Sequence, residues 1–354
     1  MKIDSVKVHA RVLKRADPEW RTSSYKADEL GGVYVTIEAG GRSGTGASAS
    51  HPRRVTAEEL TAQLRDGVVP ALTGRPLADA RRIVDGLPAP LHSRAAIAVD
   101  LALHDLLGQL AGLPAEVLWG GLVRDRVNLV RMVGLKEPEE VVAAVRPTYE
   151  QGVRAFKVKV GDGAQRDIDR VRRLARAYPD VKLMIDANGA YDLISALELC
   201  CGLADFDVLC VEQPIAYRDT EAMAKLREKS PVPLMADQMV ESVADAVRVG
   251  RQRAADIVSL KLTKMGSIAE CLRVAHVCAA MGMGVHLGGC AAPGIVDSAI
   301  TRLAMSAPEI NAYAEAGESA ALIDDQLSGV VFAGSFATSD GQPGLGGVAP
   351  QFGS

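Results

Sequence analysis

Five ionisable side chains follow successive apolar runs in the middle of the sequence: Lys159, Asp186, Glu212, Asp237 and Lys261. Neighbouring members are separated by about 25 residues, roughly the length of one strand and the helix that follows it. A single charged residue at the end of a strand is typical of a solvated loop. Five in succession and in phase indicate that carboxylates and amines converge on one site.

Three of these residues are carboxylates, and bringing them together without a cation is costly because buried like charges repel. Asp186, Glu212 and Asp237 offer only oxygen ligands, and no His or Cys stands next to any of them in the sequence. An all-oxygen ligand set favours Mg²⁺ over zinc, with Mn²⁺ as the alternative. The sequence therefore predicts a divalent metal held by three carboxylates.

The elements that position these groups are short β-branched strands that alternate with helical patterns from about residue 127. Alternation without hairpin signals is typical of parallel βα units. Eight such strands predict an α/β fold of the TIM-barrel type, in which reactive groups lie at the C-terminal ends of the strands. The predicted strands span 127–133, 154–160, 181–186, 208–212, 233–236, 256–262, 283–287 and 311–315.

Two lysines occupy the second predicted strand, in the run AFKVKVG. Alternation along a strand directs Lys157 and Lys159 to the barrel interior. Strands two and six are opposite in a ring of eight, so we expect Lys159 and Lys261 to face each other across the metal. The α-carbon of a metal-bound carboxylate would then lie between two amines, one of which removes the α-proton while the metal stabilises the enediolate. Lys157, one layer deeper, is expected to tune Lys159 or to pair with a carboxylate.

The N-terminal part has a different pattern. Strands are predicted near residues 3–8 and 32–39, the second before the glycine-rich turn GGRSGTG, and Thr56 with Glu59 forms a capping box. A helical run from Ser93 ends at Gly112. We expect an α+β capping domain to which the glycine-rich tail returns. The predicted boundaries are 1–122 for this domain, 123–324 for the barrel and 325–354 for the tail.

The composition excludes several classes of protein. The net charge of −4 and the pI near 5.9 provide no basic surface for nucleic acid or anionic membranes. No apolar run is long enough to span a bilayer, and the first residues alternate like a strand rather than a signal peptide. We expect a cytoplasmic protein with a small-molecule partner and with six cysteines as buried free thiols.

The motifs KVK, DAN, VEQP, ADQ and KLTKMG, preceded by DLALHDLLGQLAGLPAEVLWGG, closely resemble those of the enolase superfamily. Among its members, the chain is most similar to the muconate lactonizing enzyme-like subgroup of the mandelate racemase/muconate lactonizing enzyme family. The resemblance implies a modified (β/α)7β barrel with a capping domain made from both termini. It also implies Mg²⁺ on Asp186, Glu212 and Asp237, catalytic Lys159 and Lys261, and a homo-oligomer.

Several positions depart from the family pattern. The third ligand is usually followed by Glu, whereas Gln238 stands here, so weaker metal binding is expected. Asn188 and Gln238, with Lys157, are expected to support the catalytic groups. His286 is expected either to contact the substrate or to be satisfied inside the barrel. Strand eight lacks the Asp-x-Asp of dipeptide epimerases, which argues against a dipeptide substrate and leaves Glu315 to approach a cationic substrate group.

Substrate selection is assigned by this resemblance to the loops over the barrel mouth, here residues 15–32. Arg21 is a candidate to hold a second carboxylate, and Trp20 with Tyr25 to stack on a ring or a quaternary amine, or simply to pack onto the cap. The leading hypothesis is a racemase or epimerase acting α to a carboxylate. A cycloisomerase or syn-dehydratase is the alternative, and a non-catalytic binder of small carboxylates is the alternative from another class.

Overall fold

The structure is a computed structural model that describes residues 1–289, 291–323, 325 and 329–347. Among these residues a three-stranded antiparallel sheet forms near the N-terminus and an eight-stranded parallel sheet forms from the middle of the chain. The parallel sheet closes on itself, because Leu129 bridges Ala314 of the last strand and the amide of Val130 donates to the Ala314 carbonyl at 3.1 Å. The predicted α/β barrel with an α+β cap is confirmed.

The N-terminal sheet contains β1 (Ser5–Lys14), β2 (Glu29–Ala39) and β3 (Arg42–Ala49), paired in that order. The sequence predicted two strands here, and β3 corrects the interpretation of its glycine-rich run as a turn. A Cβ atom on Gly44 would lie 2.2 Å from the Leu106 amide nitrogen, and one on Gly46 would lie 2.1 Å from the Ala98 carbonyl oxygen. The glycines are therefore needed for a helix to pack directly on the strand backbone.

The helix that packs on the Gly44 and Gly46 backbone is the longest of the helices that cover the sheet. Thr56 caps the first of them, and its reciprocal contact with Glu59 is the predicted capping box. The longest begins at Ser93 and ends before Gly112, which adopts a left-handed conformation with φ of 67°. The α-helices are α1 (Ala57–Ala62), α2 (Val69–Leu72), α3 (Ala80–Asp85), α4 (Ser93–Ala111) and α5 (Ala115–Leu118), with a π-helical turn at Gln63–Val68 and a 3-10 turn at Leu77–Asp79.

The chain enters the barrel through two short strands where the sequence predicted one. The first, β4 (Val127–Asn128), does not join the barrel, whereas β5 (Arg131–Val133) is its first strand. The others follow as predicted, with no end shifted by more than two residues: β6 (Ala155–Lys159), β7 (Lys182–Asp186), β8 (Val208–Glu212), β9 (Leu234–Ala236), β10 (Ile257–Leu260), β11 (Gly284–Leu287) and β12 (Ile310–Ala314).

A major helix follows each of the first seven barrel strands, which is the expected (β/α)7β arrangement. One extra helical turn precedes the sixth of these helices. In chain order they are α6 (Val141–Glu150), α7 (Ala164–Ala177), α8 (Leu193–Gly202), α9 (Thr220–Lys229), α10 (Val243–Arg251), the short α11 (Leu262–Met265), α12 (Ile268–Ala280) and α13 (Gly294–Ser306). Within the described residues, none of the helices combines the length and the apolar character that crossing a bilayer requires.

The barrel interior is apolar at its lower end, where Val130, Ala155, Met184, Cys210 and Met235 pack together. Charged groups begin one layer above, so the apolar plug supports the site from below. Of the six cysteines, Cys200, Cys210, Cys271 and Cys278 are buried free thiols as predicted, Cys201 is exposed, and Cys290 lies outside the described residues.

The tail forms a hairpin of β13 (Val330–Ala333) and β14 (Phe336–Ser339), and β14 pairs with β4. Beyond it the chain reaches α4, because the Leu345 amide donates to Asp105 Oδ1 at 2.8 Å and Gln109 Nε2 donates to the Pro343 carbonyl at 2.9 Å. The tail thus contacts both the barrel entrance and the N-terminal part. Residues 324, 326–328 and 348–354 of the predicted segments lie outside the described residues.

Candidate active site

The ends of three adjacent barrel strands carry charged side chains in register. Lys159 ends β6, Asp186 ends β7 and Glu212 ends β8, and each is paired with the next across the sheet. Asp237 directly follows β9, and Lys261 directly follows β10. All five are buried or nearly so, which places them at one level at the C-terminal ends of the strands.

The two terminal lysines approach this level from opposite sides of the ring. Lys159 lies on the second barrel strand, with Nζ 2.5 Å from Asp186 Oδ2, and Lys261 follows the sixth, with Nζ 2.7 Å from Asp237 Oδ2. Both lysines and Asp237 line a cavity of about 640 Å³ between the barrel mouth and the N-terminal part. A small molecule in this cavity would have an amine on each side.

Lys157 lies beneath the cavity and is fully buried. Its Nζ is 2.6 Å from Glu212 Oε2, 2.7 Å from Glu315 Oε1 and 3.2 Å from Asp186 Oδ2. Burial alone would favour the neutral amine, but the three carboxylates outweigh it and hold the Lys157 pKa well above its ordinary value. Lys157 is therefore a fixed cation under the carboxylates. Of the two roles that the sequence left open, tuning Lys159 or pairing with a carboxylate, the structure shows the pairing.

Glu315 and His286 belong to this buried layer. His286 Nε2 lies 2.8 Å from Glu315 Oε1, and Glu315 Oε2 accepts a hydrogen bond from the Gly289 amide at 3.0 Å. Burial opposes ionisation of Glu315, but Lys157 and His286 outweigh it, so the carboxyl pKa lies well below its usual range. Neither side chain lines the cavity, so the structure does not bring His286 or Glu315 to the position of a substrate.

Of the three proposed metal ligands, Glu212 is the one whose carboxylate oxygens have the fewest hydrogen bonds. Burial, followed by repulsion from Asp186, raises its pKa to about 8. Neither of its oxygens has a hydrogen bond of acceptable geometry, although Lys157 Nζ lies 2.6 Å from Oε2. A buried acid whose two oxygens both lack a hydrogen bond fits a site that binds a further positive group.

The donor set around Glu212 fits a hard divalent cation. Asn188 Oδ1 and Gln238 Oε1 are also buried without a hydrogen-bond partner, and both residues line the cavity. In the described residues, however, no three His, Cys, Asp or Glu side chains stand close enough together to form a ready coordination cluster. The lysine ammonium groups hold Asp186 and Asp237 instead, so an ion would have to replace these contacts.

Two family models match this chain. The mandelate racemase / muconate lactonizing enzyme, N-terminal domain, matches residues 5–120, and the enolase C-terminal domain-like model matches residues 140–349. The chain belongs to the mandelate racemase/muconate lactonizing enzyme family of the enolase superfamily. The predicted superfamily is confirmed, and a muconate cycloisomerase among the relatives supports the muconate lactonizing enzyme-like subgroup.

Curated relatives of this family member include an epimerase and a cycloisomerase. A hydrophobic dipeptide epimerase of Enterococcus faecalis is 32% identical over 54% of this chain and 54% of its own length. Muconate cycloisomerase 1 of Rhodococcus opacus is 32% identical over 65% of this chain and 63% of its own length. The alignment thus spans between half and two thirds of these two relatives.

Solved structures of the family superpose on nearly the whole chain. A substrate-liganded complex of the L-Ala-D/L-Glu epimerase from Bacillus subtilis has a TM-score of 0.92 at 26% identity, covering 98% of this chain and 99% of that one. The Enterococcus faecalis dipeptide epimerase, complexed with Mg and the dipeptide L-Leu-L-Tyr, has a TM-score of 0.87 at 26% identity, with coverage of 98% and 99%.

In this member of the family, the cap loop (residues 15–28) forms one wall of the cavity. Trp20 and Tyr25 line the cavity with their ring centroids 5.9 Å apart. The loop is fixed to the barrel mouth, because Ser23 Oγ donates to the Ala187 carbonyl at 3.1 Å. Arg21 is not among the lining residues, and its guanidinium lies 3.6 Å from Glu137 at the surface. The structure therefore brings Trp20 and Tyr25 to the site but not Arg21.

Two further residues contact the proposed metal ligand Asp237 and were not predicted. Lys264 Nζ donates to Oδ1 and to the carbonyl of Asp237, both at 2.7 Å, while Gln213 Oε1 accepts from the Asp237 amide at 3.0 Å. Both residues lie in quoted motifs, KLTKMG and VEQP. Lys264 escaped prediction because the single turn α11 returns it to the strand end, which periodicity does not reveal.

Proposed function

We propose that this protein is a metal-dependent racemase or epimerase that removes and replaces the proton α to a substrate carboxylate through an enediolate. The observation that carries this proposal is the position of Lys159, at the end of the second of eight barrel strands, and Lys261, directly after the sixth, since both line the same cavity. Inversion of a carbon centre needs proton removal on one face and proton delivery on the other. Two opposed amines meet that need.

In the proposed cycle, one lysine is neutral and takes the α-proton, while the opposite lysine is an ammonium and donates one. Their roles exchange for the reverse direction, as two-base catalysis requires. In this cycle the α-carbon lies between the two Nζ atoms, in the cavity that both lysines line. Lys157 stays charged beneath Asp186 and Glu212 and reduces the repulsion between them.

We propose Asp186, Glu212 and Asp237 as ligands of a divalent metal, with Mg²⁺ as the first choice and Mn²⁺ as the alternative. Membership of the superfamily and the Mg-containing complex of the Enterococcus faecalis relative support a divalent ion. When bound, such an ion neutralises the substrate carboxylate and the negative charge that develops as the α-proton leaves. Asn188 and Gln238, whose side-chain oxygens lack partners, are proposed to support this site.

A cycloisomerase is the second candidate, because muconate cycloisomerase 1 of Rhodococcus opacus is a 32% identical relative. It would share the enediolate but would require only one of the two lysines as acid or base. A syn-dehydratase would use the site in the same way. The fate of the enediolate therefore separates these candidates.

The test is to incubate the protein with Mg²⁺ in D₂O and a panel of amino-acid derivatives, betaines, muconates and sugar acids, following the α-proton by NMR and the stereochemistry by chiral chromatography. Deuterium incorporation with inversion is the expected result. Turnover that creates a ring or a double bond would establish the second candidate instead. Binding of a panel member without any exchange would identify a non-catalytic binder and overturn the proposal.

A further inference from the structure

Glu318 is a buried carboxylate in the cavity wall that the proposed reaction does not use. It begins a 3-10 turn (Glu318–Ala321) just after β12, is 7% exposed and lines the cavity. The backbone on both sides is fixed, because Arg131 Nη1 donates to the Ala316 carbonyl at 2.9 Å and the Ser319 amide donates to Asp297 Oδ2 at 2.9 Å. The backbone that carries the Glu318 side chain is thus held in place on both sides.

Glu318 differs from the other buried acids of the site in having no partner. Asp186, Asp237 and Glu315 each have a lysine ammonium within 3 Å. Among the described residues, no hydrogen bond and no cationic nitrogen within 4.0 Å is found for the Glu318 carboxylate. Because Glu318 lines the cavity, its carboxylate is open to a partner from a bound molecule, and a cationic group there would compensate a charge that burial disfavours.

The two arginines whose charges act on Glu318 are engaged with other groups. The Arg15 guanidinium lies over the Trp20 ring at 4.0 Å from the centroid, and Arg131 donates to the Ala316 carbonyl. Burial, followed by repulsion from Glu315 and Asp297, raises the Glu318 pKa to about 7. A cation bound beside Glu318 would offset both effects and restore the ionised form.

The position of Glu318 defines which part of a substrate it would meet. β12 is the eighth barrel strand and lies across the ring from β8, the fourth, which carries Glu212. Glu318 is also close to the Lys261 side, since a Cβ atom on Gly289 would lie 3.1 Å from Glu318 Cγ and one on the adjacent Gly288 would lie 3.0 Å from Lys261 Cε. A carboxylate at the proposed metal ligands would direct a substituent of the α-carbon towards Glu318.

We propose that Glu318 binds a protonated amine on the α-carbon, so that the substrates are α-amino acids with a charged nitrogen rather than α-hydroxy acids. This inference rests on the proposed function and adds a determinant of substrate class. A carboxylate accepting from an ammonium forms a charge-assisted hydrogen bond, which is stronger than a neutral one. Glu315, for which a cationic partner was predicted, is already bound by Lys157 and His286, and Glu318 takes over that role.

The experiment measures deuterium exchange with Mg²⁺ for matched pairs that differ only at the α-substituent, such as leucine with 2-hydroxyisocaproate and phenylalanine with phenyllactate. The wild-type protein is expected to exchange the ammonium member at least tenfold faster in kcat/KM. Glu318→Gln is expected to lose that preference, mainly through KM, while Glu318→Asp retains part of it. Calorimetric titration of the same pairs supplies a binding readout that is independent of turnover.

The matched control is Glu241→Gln, since Glu241 lines the same cavity but is paired with Arg54 at 2.6 Å, and this variant is expected to keep the ammonium preference. Exchange of hydroxy acids with equal or greater efficiency, or a Glu318→Gln variant that keeps the preference, would overturn the inference and leave the proposed function standing. If no compound of either kind, amino acid or hydroxy acid, exchanges its α-proton, both the inference about Glu318 and the proposed function are overturned.

Discussion

Lys157 and Glu315 form an ion pair in the centre of the barrel, with 2.7 Å between Nζ and Oε1 and neither side chain exposed. The pair links the second barrel strand to the eighth, and Glu212, Asp186 and His286 complete the same network. A buried network of this kind is weak support for stability in itself, but loss of one member leaves an uncompensated charge. The stability of the folded barrel therefore depends on the charged groups that lie directly beneath the site.

Glu315→Gln is expected to lower the free energy of unfolding by about 3 kcal/mol, because Lys157 keeps its buried charge and loses one carboxylate. Urea unfolding followed by circular dichroism, in buffer with EDTA, measures the change. The surface pair of Lys225 with Glu221 serves as a control, and Glu221→Gln should not alter the unfolding midpoint. An unchanged midpoint in Glu315→Gln would show that the network adjusts without Glu315.

Single substitution of either proposed acid or base should strongly reduce inversion while leaving exchange on one face. In Lys261→Ala, Lys159 can still remove a proton and return deuterium to the same face, so one enantiomer exchanges without racemising. Lys159→Ala should exchange only the opposite enantiomer. Racemisation should fall by 10²-fold to 10⁴-fold, the usual range for loss of an acid–base group. A single variant that racemises at the parental rate would exclude the two-base scheme.

Metal binding should stabilise the folded protein through the three proposed carboxylate ligands. Mg²⁺ at about 100 times its Kd is expected to add about 2.7 kcal/mol to the free energy of unfolding, measured as a rise in Tm. Asp186→Asn should remove most of this rise, whereas Gln238→Glu should increase Mg²⁺ affinity about tenfold, as expected for a carboxylate that orients a neighbouring metal ligand. If Asp186→Asn responds to Mg²⁺ like the parent protein, the assigned ligands are wrong.

Glu318 should give stability a defined dependence on pH. Its pKa rises from 4.5 in the unfolded chain to about 7 in the folded protein, through burial and through repulsion by Glu315 and Asp297, with Arg15 and Arg131 acting in opposition. The folded state therefore holds the proton more tightly, and stability is lost as pH rises from 4.5 to 7. Glu318→Gln should equal the wild type near pH 4 and exceed it by up to a few kcal/mol above pH 7, as unfolding in urea at each pH would show. A constant difference across this range would contradict the prediction.

The contact between β3 and α4 should tolerate no side chain at Gly44. Gly44→Ala is expected to cost several kcal/mol, because its Cβ would lie 2.2 Å from the Leu106 amide nitrogen and the two backbones would have to separate. Gly67→Ala is the matched control: nothing lies within 4 Å of its Cβ position, and a gain of about 0.5–1 kcal/mol is expected from the more restricted unfolded chain. Thermal unfolding of both variants tests the pair, and equal effects would show that backbone contact is not the reason for Gly44.

Much of the fold was predictable because its signals are local. Strand and helix alternation identified the barrel, and the end of α4 at Gly112 followed from its sequence. The strand β3 was missed because glycines that permit close packing look like turn residues in the sequence. The run 127–133 was predicted as one strand because nothing local shows that β4 pairs with the distant β14. The domain boundaries, the homo-oligomer and the cytoplasmic location stay predictions.

The sequence by itself determined which ionisable groups end the barrel strands, in which order, and hence the family, because a strand's alternation and a unit's length are local properties. Only the tertiary structure decided which amine meets which carboxylate, that Glu315 and His286 lie beneath the cavity, that Arg21 lies outside it and that Glu318 faces it. Those contacts join residues far apart in the chain. They depend on closure of the ring and on the path of the loops over it, neither of which is encoded in any single segment.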